Sequence, residues 1–143
     1  MSNNVKQILR GKSAEVLTIG PEGTAADAMA VMVERNIGAL PVVESGRLLG
    51  IVSERDLLRR VMVKGAALGA VRVRDIMTSG VFTVEAGHDI GHCMELMTER
   101  RIRHLPVVEG DALVGLLSIG DVVRAMLQEQ QATIEQLEMY IRS

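Results

Sequence analysis

Aromatic side chains are almost absent from this chain: Phe82 and Tyr140 are the whole complement, and there is no tryptophan. Proteins that hold single-stranded nucleic acid stack bases on several aromatic faces, so that class is disfavoured from the start. A formal net charge of −2 argues against a surface that tracks a phosphate backbone, while leaving room for a local basic pocket. The single cysteine, Cys93, can form neither an intrachain disulfide nor a cysteine-rich metal cage. No window approaches the roughly 18 apolar residues of a membrane span, and the Met-Ser-Asn-Asn start lacks the apolar stretch of a signal peptide. The expectation is a soluble, cytoplasmic protein of a reducing compartment, with no nucleic-acid partner and no membrane insertion. Apolar residues, by contrast, are plentiful: 48% of the 143 residues are hydrophobic and 24% charged, which excludes intrinsic disorder and suffices for one ordinary domain or two very small ones.

The chain repeats itself. Val16–Met62 and Val81–Leu127 align without a gap, with roughly 17 of about 47 positions identical. The densest match sets Glu34-Arg35-Asn36-Ile37-Gly38-Ala39-Leu40-Pro41-Val42-Val43-Glu44 against Glu99-Arg100-Arg101-Ile102-Arg103-His104-Leu105-Pro106-Val107-Val108-Glu109. A second block sets Gly50-Ile51-Val52-Ser53-Glu54-Arg55-Asp56 against Gly115-Leu116-Leu117-Ser118-Ile119-Gly120-Asp121. The lead-ins correspond too, Val5-Lys6-Gln7-Ile8-Leu9 with Val73-Arg74-Asp75-Ile76-Met77. The duplication divides the sequence into repeat one (5–68), repeat two (69–127) and a C-terminal helical tail (128–143).

Each repeat reads as β-α-β-β-α. In the first, a β-branched strand over Val16–Ile19 leads to a turn at Pro21-Glu22-Gly23. A helix capped by Thr24 and Asp27 then carries Met29, Met32 and Val33 on one face. Leu40–Val43 and Leu48–Val52 form a hairpin through Glu44-Ser45-Gly46, and Ser53 opens a last helix through Leu57, Leu58 and Val61. The fold class is therefore α/β (α+β). About 60 residues make a thin core alone, so the two repeats are expected to pack together through their sheets. In the tail, Ile134, Leu137 and Ile141 recur at helical spacing, which fits either a helix covering its own core or an arm on a partner subunit.

The doubled Gly-x-x-Ser-x-x-Asp carries the chemistry. Ser53 with Asp56 and Ser118 with Asp121 have the spacing of capping boxes, which is one complete explanation. The other is a nucleotide site, with phosphate on the helix amides and serine and the ribose diol on the aspartate. Asp in both copies favours the second, because Glu reaches back to an N-cap amide more easily. The repeated glycine, where backbone can approach closely, favours it as well.

These motifs resemble the tandem CBS-domain pair, or Bateman module, of stand-alone bacterial type. Ile-Gly-Ala-Leu-Pro-Val-Val and Ile-Arg-His-Leu-Pro-Val-Val, the two Gly-x-x-Ser-x-x-Asp blocks, and Val-Arg-Asp-Ile-Met-Thr at 73–78 carry the resemblance. It implies β-α-β-β-α repeats related by a pseudo-twofold axis, with clefts between them that take adenine nucleotides. AMP is the first candidate, and ATP, ADP, NAD(H) or S-adenosylmethionine are others. It further implies that Asp56 and Asp121 take ribose hydroxyls, that Ser53 and Ser118 lie near ribose or phosphate, and that Gly38, Ala39, Arg103 and His104 line the base or phosphate side. Because such clefts draw on both repeats, Arg55, Arg103 and His104 are expected to converge on phosphate; the alternative is that Arg103 and His104 are solvated strand-edge residues.

The other constellations are weaker. His88, His92 and Cys93 suggest a metal site only faintly, since repeat one carries no matching ligands, and a surface pair at a helix start is the plainer reading. Cys93 has no orienting group that would make it a nucleophile. The paired Met29/Met32 and Met94/Met97 read as core or interface packing. With no base-nucleophile pair and no Gly-rich lysine loop, the expectation is no enzyme, no catalytic residue, no metal and no required cofactor. The leading reading is an adenine-nucleotide sensor of cellular energy or signal state, acting on an effector protein through conformational change. The apolar methionine faces and the tail predict a homodimer. The alternative is a ligand-independent oligomerisation or adaptor module.

Overall fold

Three side-chain caps start the helices that organise the first repeat. Asn4 and Gln7 form a reciprocal capping box that opens α1 (Val5–Gly11), and Thr24 with Asp27 does the same for α2 (Ala25–Arg35). Ser53 and Asp56 open α3 (Glu54–Leu57). The computed structural model describes residues 4–12, 15–63 and 65–142. Between α2 and α3 lies the hairpin of β1 (Ala39–Glu44) and β2 (Arg47–Ser53), antiparallel, with a register shift at Val42/Val43. After α3 the backbone widens into a π-helical turn over Leu58–Met62, and a 3₁₀ turn at Leu68–Ala70 leads to α4 (Val73–Ile76). The second repeat supplies α5 (Ile90–Arg100), β3 (His104–Glu109), β4 (Ala112–Ser118) and the long α6 (Ile119–Arg142). Asn36 and Arg101 end α2 and α5 at equivalent positions, both in the left-handed region with φ of 53° and 54°.

Two compact units emerge, and they are not consecutive halves of the chain. One gathers the segment containing α1, then Thr83–Val108, then the chain from Gly115 on; the other gathers Glu15–Phe82 with Glu109–Val114. Each repeat's core holds the other's lead-in. Val5 of α1 is fully buried among Val84, Ile90, Cys93, Met97 and Leu105. Val73 and Ile76 of α4 are buried with Ala28, Met32, Leu40, Val42 and Val52. Within the second unit, Thr78 pairs antiparallel with Ile51, their N–H and C=O groups exchanging bonds of 2.8 and 3.0 Å.

The strand expected over Val16–Ile19 is reduced to a single parallel bridge between Ile19 and Val42. Ile19 N–H donates to the Pro41 carbonyl at 3.0 Å and Val43 N–H donates to the Ile19 carbonyl at 2.9 Å. One step back the ladder would need a donor from residue 41, and proline has none. The same stop recurs at Val84, held by the Pro106 carbonyl and the Val108 N–H. Val33 also departs from expectation. The buried face of α2 is Ala25, Ala28 and Met32, and Val33, one step round the helix, is 76% exposed.

The tail does continue the last helix, and it does not cover a core. Ile134, Leu137 and Ile141 are 49%, 59% and 81% exposed. Among the described residues, no helix is long and apolar enough to cross a membrane.

Candidate functional site

The strand that carries Leu-Pro and the turn that carries Ser-x-x-Asp meet in both repeats. In the first, Ala39 opposes Ser53 in the β1/β2 register, and the Gly38 carbonyl accepts the Glu54 N–H at 3.0 Å. That N–H opens α3 and would otherwise lack a helical acceptor. In the second, the Arg103 carbonyl accepts the Ile119 N–H at 2.8 Å, bringing Arg103 and His104 to the start of α6. Gly38 and Ala39 therefore lie with Ser53 and Asp56, and Arg103 and His104 lie with Ser118 and Asp121. Ala39 is buried, Gly38 and His104 are half-buried, and Arg55 and Arg103 are exposed.

Both aspartates complete capping boxes, so a short acid does reach the N-cap amide here. Asp56 Oδ2 accepts the Ser53 N–H at 2.9 Å and the Ser53 hydroxyl at 3.0 Å, while Ser53 Oγ accepts the Asp56 N–H at 3.2 Å. Asp121 Oδ2 accepts the Ser118 N–H at 2.8 Å, and Ser118 Oγ accepts the Asp121 N–H at 3.2 Å.

The corners part company beyond the cap. Asp56 Oδ1 has no hydrogen-bond partner among the described residues, and the Asp56 side chain is half-buried. Asp121 is buried and held on both oxygens: Lys12 Nζ lies 2.8 Å from Oδ2, and Arg124 Nη2 lies 2.8 Å from Oδ1. Burial pushes the Asp121 carboxyl up, but the Lys12 hydrogen bond, the Ser118 N–H and the Lys12 charge outweigh it and hold the carboxyl below its ordinary value. Arg59 stands where Arg124 stands in the other repeat, yet forms no such pair. A π-helical turn begins immediately before it, at Leu58.

Lys12 and Arg124 are the site residues that sequence reading missed. Arg124 was legible in principle, one helical turn beyond Asp121. Lys12 was not, because aligning the lead-ins merely sets it opposite Gly80. Its position follows from β4: Lys12 Nζ donates to the Leu116 carbonyl at 2.8 Å, whereas the equivalent Ile51 carbonyl is taken by the Thr78 N–H.

The histidines form a local pair. His88 Nδ1 accepts the Glu85 N–H at 2.9 Å, and its ring stacks on His92 with centroids 4.3 Å apart. Cys93 is buried, and burial, helped by the Asp89 charge, pushes its thiol up to about 11.

Comparison with known proteins agrees with this architecture. The CBS-domain family model matches residues 5–63 and 73–128. The Arabidopsis thaliana "CBS domain-containing protein CBSX3, mitochondrial" is 40% identical over 140 residues, covering 93% of this chain and 68% of that protein. A solved structure of a protein with CBS domains from Burkholderia ambifaria MC40-6 superposes with a TM-score of 0.84 at 42% identity, covering 90% of this chain and 96% of the other. A more distant CBS-domain pair, of protein MJ0100 in complex with 5′-methylthioadenosine and S-adenosyl-L-methionine, shares the fold with a TM-score of 0.79 at 24% identity, covering 90% and 99%.

Proposed function

The chain belongs to the CBS-domain family, and from that membership we propose that it is a non-enzymatic regulatory module whose ligand is an adenine nucleotide. AMP is the first candidate, with ATP or NAD(H) as larger alternatives. The observation that carries the reading is the Asp56 corner. A carboxylate fixed in orientation by Ser53, with one oxygen left open, is an acceptor made ready for a ribose diol. The small residues Gly38 and Ala39 lie on the strand beside it, and Arg55 stands next to it in sequence to meet phosphate. At the other corner Arg103 supplies charge for phosphate and His104 a second contact to it. That the fold neighbour MJ0100 is described with two adenosyl ligands supports the choice of ligand chemistry. Ligand binding would favour one conformation of the module, which an effector protein then reads.

The test is titration calorimetry of AMP, ATP, NAD and adenosine against wild type and Asp56→Ala. A charge-assisted hydrogen bond contributes roughly 1.5–3 kcal/mol, so Asp56→Ala weakens AMP by about 10- to 100-fold. A lost helix cap alone lowers stability by about 1 kcal/mol and leaves ligand preference untouched. Absence of any nucleotide binding below millimolar concentration replaces this reading with the adaptor one.

One observation favours self-association alongside ligand binding. Val123, Leu127, Ile134, Leu137 and Ile141 fall on the steps of a coiled-coil seam whose one polar position is Gln130, and all are exposed. The acidic Glu129, Glu135 and Glu138 that flank it suit a second copy of the helix better than an anionic lipid surface. Light scattering on the full chain should give a dimer that Leu137→Asp converts to monomer.

A further inference from the structure

Among the described residues Asp121 is the one buried charged side chain, and it is buried under its own counter-ions. Its side chain is 7% exposed, whereas those of Lys12 and Arg124 are 41% and 69% exposed. The three line a cavity of about 230 Å³ together with Gln7, Ile8 and Gln128. A ligand that enters this cavity meets one ammonium and one guanidinium before it meets the carboxylate.

That order of encounter has a chemical consequence. A ribose diol can reach Asp121 Oδ2 only by displacing Lys12, because that oxygen already accepts the Lys12 ammonium and the Ser118 N–H. A neutral nucleoside leaves the displaced ammonium without an anionic partner, and separating a charge from a buried partner is costly. A phosphorylated nucleotide brings a replacement anion, so Lys12 passes from carboxylate to phosphate while remaining anchored to the Leu116 carbonyl. Among the described residues the Asp56 corner has no such gate: the carbonyl equivalent to Leu116 is closed by backbone, and Gly80 aligns with Lys12.

We propose that Lys12 is a specificity residue of the Asp121 corner, occupying the diol acceptor so that only ligands carrying a phosphate displace it. The proposal rests on the nucleotide reading of the Ser-x-x-Asp motif and adds which member of that ligand class each corner accepts. It assigns the two corners different tastes: the open one takes nucleoside and nucleotide alike through its diol, and the gated one demands the phosphate.

The experiment is calorimetry of adenosine and AMP with the full chain in an Asp56→Asn background, which removes the open diol acceptor. Lys12 is compared there with Lys12→Gln, Lys12→Met and Lys12→Arg. In Lys12→Gln and Lys12→Met, adenosine binds more tightly than with Lys12 and AMP more weakly, so the AMP-over-adenosine preference falls by at least about 10-fold, or 1.4 kcal/mol. Lys12→Arg keeps the preference. Adding Asp121→Asn abolishes the effect of Lys12→Met on that ratio. Thermal melts identify any variant that fails to fold; glutamine, which retains a donor for the Leu116 carbonyl, serves if methionine is not tolerated. Equal loss of both ligands, or an unchanged ratio with AMP still bound, overturns the gate and leaves the nucleotide reading standing. Failure of AMP to bind even the wild-type chain overturns both.

Discussion

The two repeats use the same serine and aspartate to cap the same helix, yet one corner is open and the other is locked. Ser53 and Asp56 close only on each other, and one carboxylate oxygen stays available. Ser118 and Asp121 close in the same way and are then sealed by a lysine from the lead-in and an arginine from the next helical turn. The cap is thus a scaffold, and its identity in two copies says little about what either copy binds. The difference comes from elements outside the motif: an arginine one helical turn on that pairs with Asp121, and a lead-in that ends in a side-chain contact instead of a backbone pair.

The comparison can be broken most forcefully at the lead-ins. Ile76 of α4 is 3% exposed, while its counterpart Ile8 of α1 is half-buried. Ile76→Ala should cost about 2–5 kcal/mol in urea denaturation, and Ile8→Ala clearly less. Hydrogen exchange should then rise first in α2 and β1 for the former and in α5 and β3 for the latter, because each lead-in serves the core that the other repeat's residues build.

A smaller contrast lies at the repeated glycine. A Cβ at Gly50 would sit 2.6 Å from the Thr78 carbonyl oxygen and 2.9 Å from Met77 Sδ, whereas one at Gly115 would meet only the tip of Leu9. Backbone cannot yield as a leucine rotamer can, so Gly50→Ala is expected to destabilise by about 1–3 kcal/mol and Gly115→Ala by less than about 1 kcal/mol. Equal losses in thermal melts would erase this distinction between the repeats.

The smallest effect is on the acid limb of stability. The Asp121 carboxyl titrates below its ordinary value in the folded protein, so its contribution is complete above the unfolded value of about 4 and is lost as pH falls through the lower folded one. Asp121→Asn should flatten the decline of melting temperature below about pH 4. The limb should not vanish, since Asp27, held low first by the Thr24 N–H, retains its share.

Much of this was legible in the sequence because it repeats. The hairpins, the caps at Thr24 and Ser53, and the continuation of α6 into the tail follow from local rules that work residue by residue. Pro41 and Pro106 were equally visible, and their missing N–H groups foretold that the strands at Val16 and Val81 would stop at one bridge, but only once a parallel partner was known. The corner residues were found where the motif placed them. Lys12 escaped because its role depends on a contact more than 100 residues away in the chain, which no local pattern encodes.

The crossed lead-ins bear on how the molecule is made. On the ribosome α1 is made well before the residues it packs against, and the core that buries Val5 is finished only when Val122 and Ala125 have been synthesised. The first repeat, too, cannot close until Val73 and Ile76 arrive from beyond its own last helix. Contacts of such sequence separation are formed late and slowly, so the nascent chain carries an unpaired apolar lead-in for more than 100 residues of synthesis. Duplication of a small unit is often pictured as two beads that fold in turn. Here each bead takes its lead-in from the other repeat's sequence, so neither core closes on its own repeat alone.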